Sequence, residues 1–139
     1  MTDDDELFGG EHVRVYRETE GERGYHWRGT TILLLTTIGR KSGEERTTPL
    51  IHRRDGDRYV IVASKGGAAD HPAWFKNLTE NPGRIEIQVK ADRFAVDASV
   101  AGGSERERLW KRMTEVWPDY DKYQAGTERE IPVVVLERT

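Results

Sequence analysis

Two glycine-marked turns carry the residues best suited to chemistry in this chain. In Gly39-Arg40-Lys41-Ser42-Gly43, two cations and a hydroxyl sit between glycines, and Arg46 and Thr47 follow close behind. That set suits a phosphate: glycines let successive N–H groups converge on an anion, while guanidinium and ammonium groups neutralise it. The spacing is not that of a Walker loop, which argues against nucleoside triphosphate hydrolysis, and a plain charged hairpin turn is the competing reading. The second turn, Ser64-Lys65-Gly66-Gly67, follows the run Tyr59 to Ala63 and leads into His71-Pro72-Ala73-Trp74-Phe75. Its small residues would let a flat ring approach the backbone. Further on, Tyr120 and Tyr123 stand three residues apart and share a face of a helical turn, where two phenols can line a pocket or donate protons. Packed with Trp117 they are equally ordinary core aromatics, as are Trp74 and Phe75.

The remaining inventory excludes more than it offers. There is no cysteine, so disulfides, thiolate nucleophiles and cysteine metal sites are absent. His12, His26, His52 and His71 are scattered without metal-ligand spacing, so no metal is expected. No Gly-x-Ser-x-Gly elbow occurs, which removes one familiar acyl-transfer arrangement. A phosphate loop, a glycine shelf and aromatics with few acids or bases suit a redox cofactor that carries the chemistry itself.

With 139 residues the chain makes one domain. The net charge of −3 argues against nucleic acid as a partner, which requires a basic face. Residues 40 to 58 nevertheless form a local basic island, with Arg40, Lys41, Arg46, Arg53, Arg54 and Arg58. The start Met1-Thr2-Asp3-Asp4-Asp5-Glu6 is the opposite of a cationic targeting signal, and no apolar run approaches the roughly 20 residues that span a bilayer. A cytoplasmic protein is expected.

These residues must be positioned by a mostly antiparallel β fold. Residues 30 to 38 read as a buried strand and Arg46 to Arg53 as its partner, with Asp55-Gly56 as a hairpin turn before a strand from Arg58 to Ala63. Pro72 to Leu78 reads as a short helix, followed by strictly alternating strands at Arg84 to Lys90 and Phe94 to Val100. Ser104-Glu105-Arg106-Glu107 fits a capping box for a helix that Pro118 stops, and Asp119 to Gly126 reads as one more helical turn. The last strand runs from Ile131 to Leu136. His12, Val15, Tyr16 and Thr19 have the spacing of a short amphipathic helix within residues 9 to 29. About six antiparallel strands with minor helix predict a closed or split barrel.

The colinear segments Leu33 to Gly43, Arg46 to Leu50, Val62 to Ala68, His71 to Leu78, Trp117 to Tyr120 and Arg129 to Val133 resemble the deazaflavin-dependent nitroreductase family, which uses coenzyme F-420. The resemblance implies a six-stranded antiparallel split β-barrel, like the flavin-mononucleotide-binding barrels, with flanking short helices. It makes residues 30 to 139 one deazaflavin-binding domain and residues 1 to 29 a variable segment. It implies cofactor contacts from Arg40, Lys41, Ser42, Gly43, Arg46 and Thr47 to the phosphate and acidic tail. Pro49, Val62, Ala63, Ser64, Lys65, Gly66 and Gly67, with Trp74 and Asn77, complete the cofactor set. Trp117, Tyr120 and Tyr123 would face the substrate, and either tyrosine would be the catalytic proton donor. Trp117 stands where the nitroimidazole-reducing member has tyrosine. The activity implied is hydride transfer from reduced F-420 to a small electron-poor acceptor such as a quinone, enone or nitroaromatic. A carrier that holds F-420 or flavin mononucleotide without turnover is the alternative. Oligomeric state and peripheral contact with a membrane stay open.

Overall fold

The computed structural model describes residues 4–139, so the Met1-Thr2-Asp3 part of the acidic start lies outside the described residues. Seven strands and four α-helices follow in the order α1 (Gly9–Glu18), β1 (His26–Trp27), β2 (Thr30–Ile38), β3 (Glu45–Asp55), β4 (Arg58–Val62), α2 (Ala73–Glu80), β5 (Glu86–Val89), β6 (Asp92–Val100), α3 (Gly103–Val116), α4 (Asp119–Ala125) and β7 (Val133–Arg138). Neighbours pair antiparallel in the order β1-β2-β3-β4-β7-β6-β5, and β5 pairs back onto β2. The six longer strands therefore close into a barrel, with β1 a two-residue extension beside β2. Closure leaves the barrel strands no open edge.

β2 is buried almost throughout because both of its faces are covered. Leu33 and Leu35 point into the barrel with Ile61, Ile87, Phe94, Val134 and Leu136, while Ile32 and Leu34 pack outward against Tyr16 of α1. Each such buried side chain is worth about 1.5–3 kcal/mol in transfer terms. A second outer cluster joins Val62, Val133 and Val135 of the sheet to Leu109 and Met113 of α3 and Tyr120 of α4.

The amphipathic helix expected within residues 9 to 29 is α1, whose buried residues are His12, Val15 and Tyr16. The Tyr16 hydroxyl donates to the Ile32 carbonyl at 3.0 Å and accepts the Lys90 N–H at 2.8 Å. Burial pushes its pKa up to about 12. The Arg23 guanidinium, in turn, holds Asp4 at 3.0 Å.

Three local expectations need correction. The capping box does not form: α3 starts at Gly103 behind an extended Gly102, no side chain caps it, and Ser104 lies inside the helix. Ala101 is tied to the Val133 carbonyl at 2.9 Å, so the chain turns at the two glycines before Ser104 is reached. The last strand runs two residues later than expected, because Ile131 N–H is taken by the Gln124 side chain and Pro132 has no N–H to give. The β3–β4 connection is Gly56-Asp57, since Asp55 already pairs with Arg58.

Candidate functional site

Two adjoining cavities lie on the outer surface of the barrel around β3. The smaller, about 360 Å³, is lined by Arg40, Lys41, Ser42, Arg46, Thr47, Trp74 and Asn77, together with Gly39, Thr48 and Ala73. Seven of the residues singled out in the sequence thus meet in one place. The register explains why: β2 and β3 pair out to Ile38 and Glu45, so the connecting loop projects beyond the sheet with Arg46 and Thr47 at its base. The loop folds back on itself through Gly43 N–H to the Gly39 carbonyl at 2.8 Å, with Gly43 at φ +74°. A Cβ at Gly39 would lie 2.6 Å from the Ser42 hydroxyl and 3.3 Å from the Glu44 carbonyl, so a side chain there would displace Ser42 from the loop's interior.

Asn77, buried on α2, anchors this loop. Its Oδ1 accepts the Arg40 N–H at 3.2 Å and the Arg40 guanidinium at 3.0 Å, and its Nδ2 donates to Thr37 at 3.4 Å. Lys41 makes no ion pair among the described residues, and Arg46 pairs with Glu44 at 3.5 Å, both side chains largely exposed, and donates to the Ser42 hydroxyl at 3.5 Å. Such an exposed contact contributes little. The cations are therefore available to an external anion. Thr47 differs: its hydroxyl already meets Thr36 at 2.9 Å and Arg17 of α1 at 3.1 Å.

The larger cavity, about 500 Å³, shares Thr48 and Trp74 with the first. Pro49, Val62, Ser64, Lys65 and Gly66 form one wall, and Trp117, Tyr120 and Tyr123 another. Of the shelf residues, Ala63 is fully buried behind this wall. Gly67 backs onto α4, where an added Cβ would fall 2.8 Å from the Tyr123 carbonyl. Gly43 shapes its turn without lining either cavity.

The two phenols are in different states. Tyr120 is 4% exposed, and its hydroxyl has no partner among the described residues. Desolvation, then the neighbouring Tyr123, raises its pKa above the ordinary tyrosine value, so it is a neutral donor at physiological pH. The Tyr123 oxygen accepts the Trp117 indole N–H at 3.4 Å, which leaves its own proton free to be donated.

Sequence reasoning missed a third wall. Leu7, Phe8, Gly9, His12 and Trp27 all line the larger cavity. Trp27 stacks on Trp117 with ring centroids 5.9 Å apart and planes 23° from parallel, and its indole donates to the Leu7 carbonyl at 3.0 Å. His12, one of the four histidines scattered in the sequence, is buried and joined to the Gly24 carbonyl at 2.8 Å through Nε2. Aromatic and apolar residues in this stretch were the available signal. Only the fold brings them beside residues 117 to 123.

The arrangement joins a cation-lined slot to a largely apolar, aromatic chamber. An anionic tail and a flat ring in one molecule fit this donor set: Arg40, Lys41, Ser42 and Arg46 for the charge, and Pro49 with the 64–66 backbone for the ring. At Gly66 an added Cβ would meet nothing within 4 Å, so this part of the wall is sterically open.

A family described as F420H(2)-dependent quinone reductase matches residues 9–138. An F420H(2)-dependent quinone reductase of Mycobacterium tuberculosis is 44% identical over 131 residues, which cover 91% of this chain and 87% of the relative. The solved structure of an F420-H2 dependent reductase superposes with a TM-score of 0.70 at 40% identity, covering 79% of this chain and 95% of that one. A heme storage protein of Vibrio cholerae, at 13% identity and a TM-score of 0.60 over 96% of this chain and 92% of its own, shares the fold alone. The resemblance drawn from sequence holds for cofactor and reductase class; the matching description names a quinone rather than a nitro compound.

Proposed function

Because the chain belongs to the F420H(2)-dependent quinone reductase family, we propose that it reduces a quinone to the hydroquinone with reduced coenzyme F-420. The observation that carries this reading is the continuity of the cationic slot with the aromatic chamber through Thr48 and Trp74. In this proposal Arg40, Lys41, Ser42 and Arg46 bind the cofactor's phosphate and acidic tail, while Pro49, Val62 and Ser64 to Gly66 lie against its ring. The bound reduced deazaflavin supplies the hydride. The chain's own residues supply the rest: Trp27, Trp117 and the tyrosines exclude water around the acceptor, and Tyr120 or Tyr123 gives the proton that accompanies the hydride. Hydride and proton together convert a quinone to its hydroquinone. Enones and nitroaromatics, which need the same delivery, are further candidate acceptors.

Residues 30–139 form the cofactor-binding unit in this reading, and Leu7, Phe8, Gly9, His12 and Trp27 wall the acceptor side. A cytoplasmic setting is part of this proposal; among the described residues no helix is long and apolar enough to cross a membrane. Phe8, 79% exposed beside the cavity, suits contact with a lipid-borne acceptor. The test is titration with F-420 and flavin mononucleotide, then single-turnover oxidation of the reduced complex by menadione. Tight F-420 binding with menadione-dependent return of the oxidised absorbance is expected. Preference for flavin mononucleotide would overturn the cofactor assignment, and binding without turnover on any acceptor would make the protein a carrier.

A further inference from the structure

The wall formed by Ser64 to Gly67 is conformationally costly. Lys65, Gly66 and Gly67 take φ values of +46°, +63° and +85°, three left-handed residues in succession, and Lys65 lacks the freedom of glycine. Such a segment persists where its surroundings over-determine it. One side chain outside both cavities does so. The Arg129 guanidinium donates through Nη2 to the Ser64 carbonyl at 2.7 Å, through Nε to Ala68 at 2.7 Å and through Nη1 to Ala63 at 3.2 Å. Nη1 also meets His71 Nδ1 at 3.0 Å. The three carbonyls bracket the turn from both ends.

We infer that Arg129 is the positioning residue for the cavity's glycine wall, a role that rests for its functional meaning on the F-420 reading above. Its guanidinium has no carboxylate partner among the salt bridges of the described residues, and its donors go to three backbone carbonyls and the His71 ring. With the carbonyls of Ala63 and Ser64 turned to Arg129, the N–H groups of Ser64, Lys65 and Gly66 have no acceptor among the described residues. They remain for a ligand against the wall they form. Arg129 is itself held: its carbonyl accepts from Gln124 of α4 at 2.8 Å, and Gln124 in turn accepts the Ile131 N–H at 2.9 Å. Arg106 of α3 donates to the Ile131 carbonyl at 2.8 Å. The geometry of the wall is thus referred to α3 and α4, the same helical layer that carries Tyr120 and Tyr123. A lysine at 129 would keep the charge, but a single ammonium nitrogen does not span three carbonyls as a planar fork does.

The test uses full-length Arg129→Lys and Arg129→Gln. In the ligand-free proteins, hydrogen exchange is measured at the Gly67 and Ala68 amides, which are bonded to the Ser64 and Lys65 carbonyls, and in β4 and β7, with the melting temperature; F-420 dissociation constants follow. The expected result is exchange at Gly67 and Ala68 faster by about tenfold or more, core exchange and melting close to the parent, and F-420 binding weakened by about tenfold or more in both variants. Unchanged exchange at Gly67 and Ala68 overturns the inference whatever the cofactor proves to be. Acceleration spread equally over β4 and β7 also overturns it, since Arg129 would then be a general stability element. A loosened wall with unaltered F-420 affinity overturns the positioning role. Failure of the parent itself to bind F-420 would defeat the cofactor reading separately, with the exchange arm still deciding whether Arg129 holds the turn.

Discussion

Tyr120 and Tyr16 are both buried phenols, yet their hydroxyls predict opposite consequences. Tyr16 satisfies the Lys90 N–H and Ile32 carbonyl, so Tyr16→Phe should cost about 1–3 kcal/mol by leaving backbone groups unpaired. Urea unfolding would measure that loss, and the reductase rate per folded molecule should stay near the parent. Tyr120 has no such partner, so Tyr120→Phe should leave unfolding nearly unchanged. If Tyr120 is the general acid, its loss should slow single-turnover menadione reduction by about 100-fold or more while F-420 affinity holds. A full-rate Tyr120→Phe with a slow Tyr123→Phe would move the donor to Tyr123. Equal, full rates in both would leave water as the source.

At the scale of elements, the β2–β3 loop is the part whose chemistry stands closest to its sequence. Arg40→Ala, Lys41→Ala and Arg46→Ala should each weaken F-420 binding by about 1–3 kcal/mol, as expected for charge-assisted hydrogen bonds. Calorimetric titration should also show binding falling with added salt, because these cations face solvent. Parent-like affinity in all three would reduce the loop to a hairpin. This loop was legible because five contiguous residues carry both the turn and the charge. The strands were legible too, since Thr30–Ile38 and the alternation around Ile87 and Phe94 state their faces directly. The cap of α3 was not, because Ser104 and Glu107 satisfy a local pattern that the preceding glycines pre-empt. Nor was the acceptor-side wall from Leu7 to Trp27: those residues are remote in sequence from Trp117, and their meeting depends on α1 lying across the β2–β3 pair. Arg129 was visible as part of a motif, but its role depends on which carbonyls the fold turns toward it.

Across the whole molecule, acid should act through His52. It is 2% exposed, with Nδ1 buried and unpartnered. Desolvation lowers its pKa from 6.5 to about 4. The folded protein therefore refuses a proton that the unfolded chain accepts, and stability falls as pH drops through the window between those values. The loss should be about 2 kcal/mol between about pH 7 and pH 5, read by urea midpoints, and the slope should flatten in His52→Phe. A parent curve flat over that interval would contradict the burial assignment. The tryptophans give the molecule another property. Three of the four in the chain, Trp27, Trp74 and Trp117, line the two cavities, and two of them are stacked together. Most of the protein's ultraviolet emission thus originates within reach of whatever occupies the chamber. A bound chromophore should quench it by energy transfer, making occupancy visible without a label, and Trp27→Phe should lose part of that optical response.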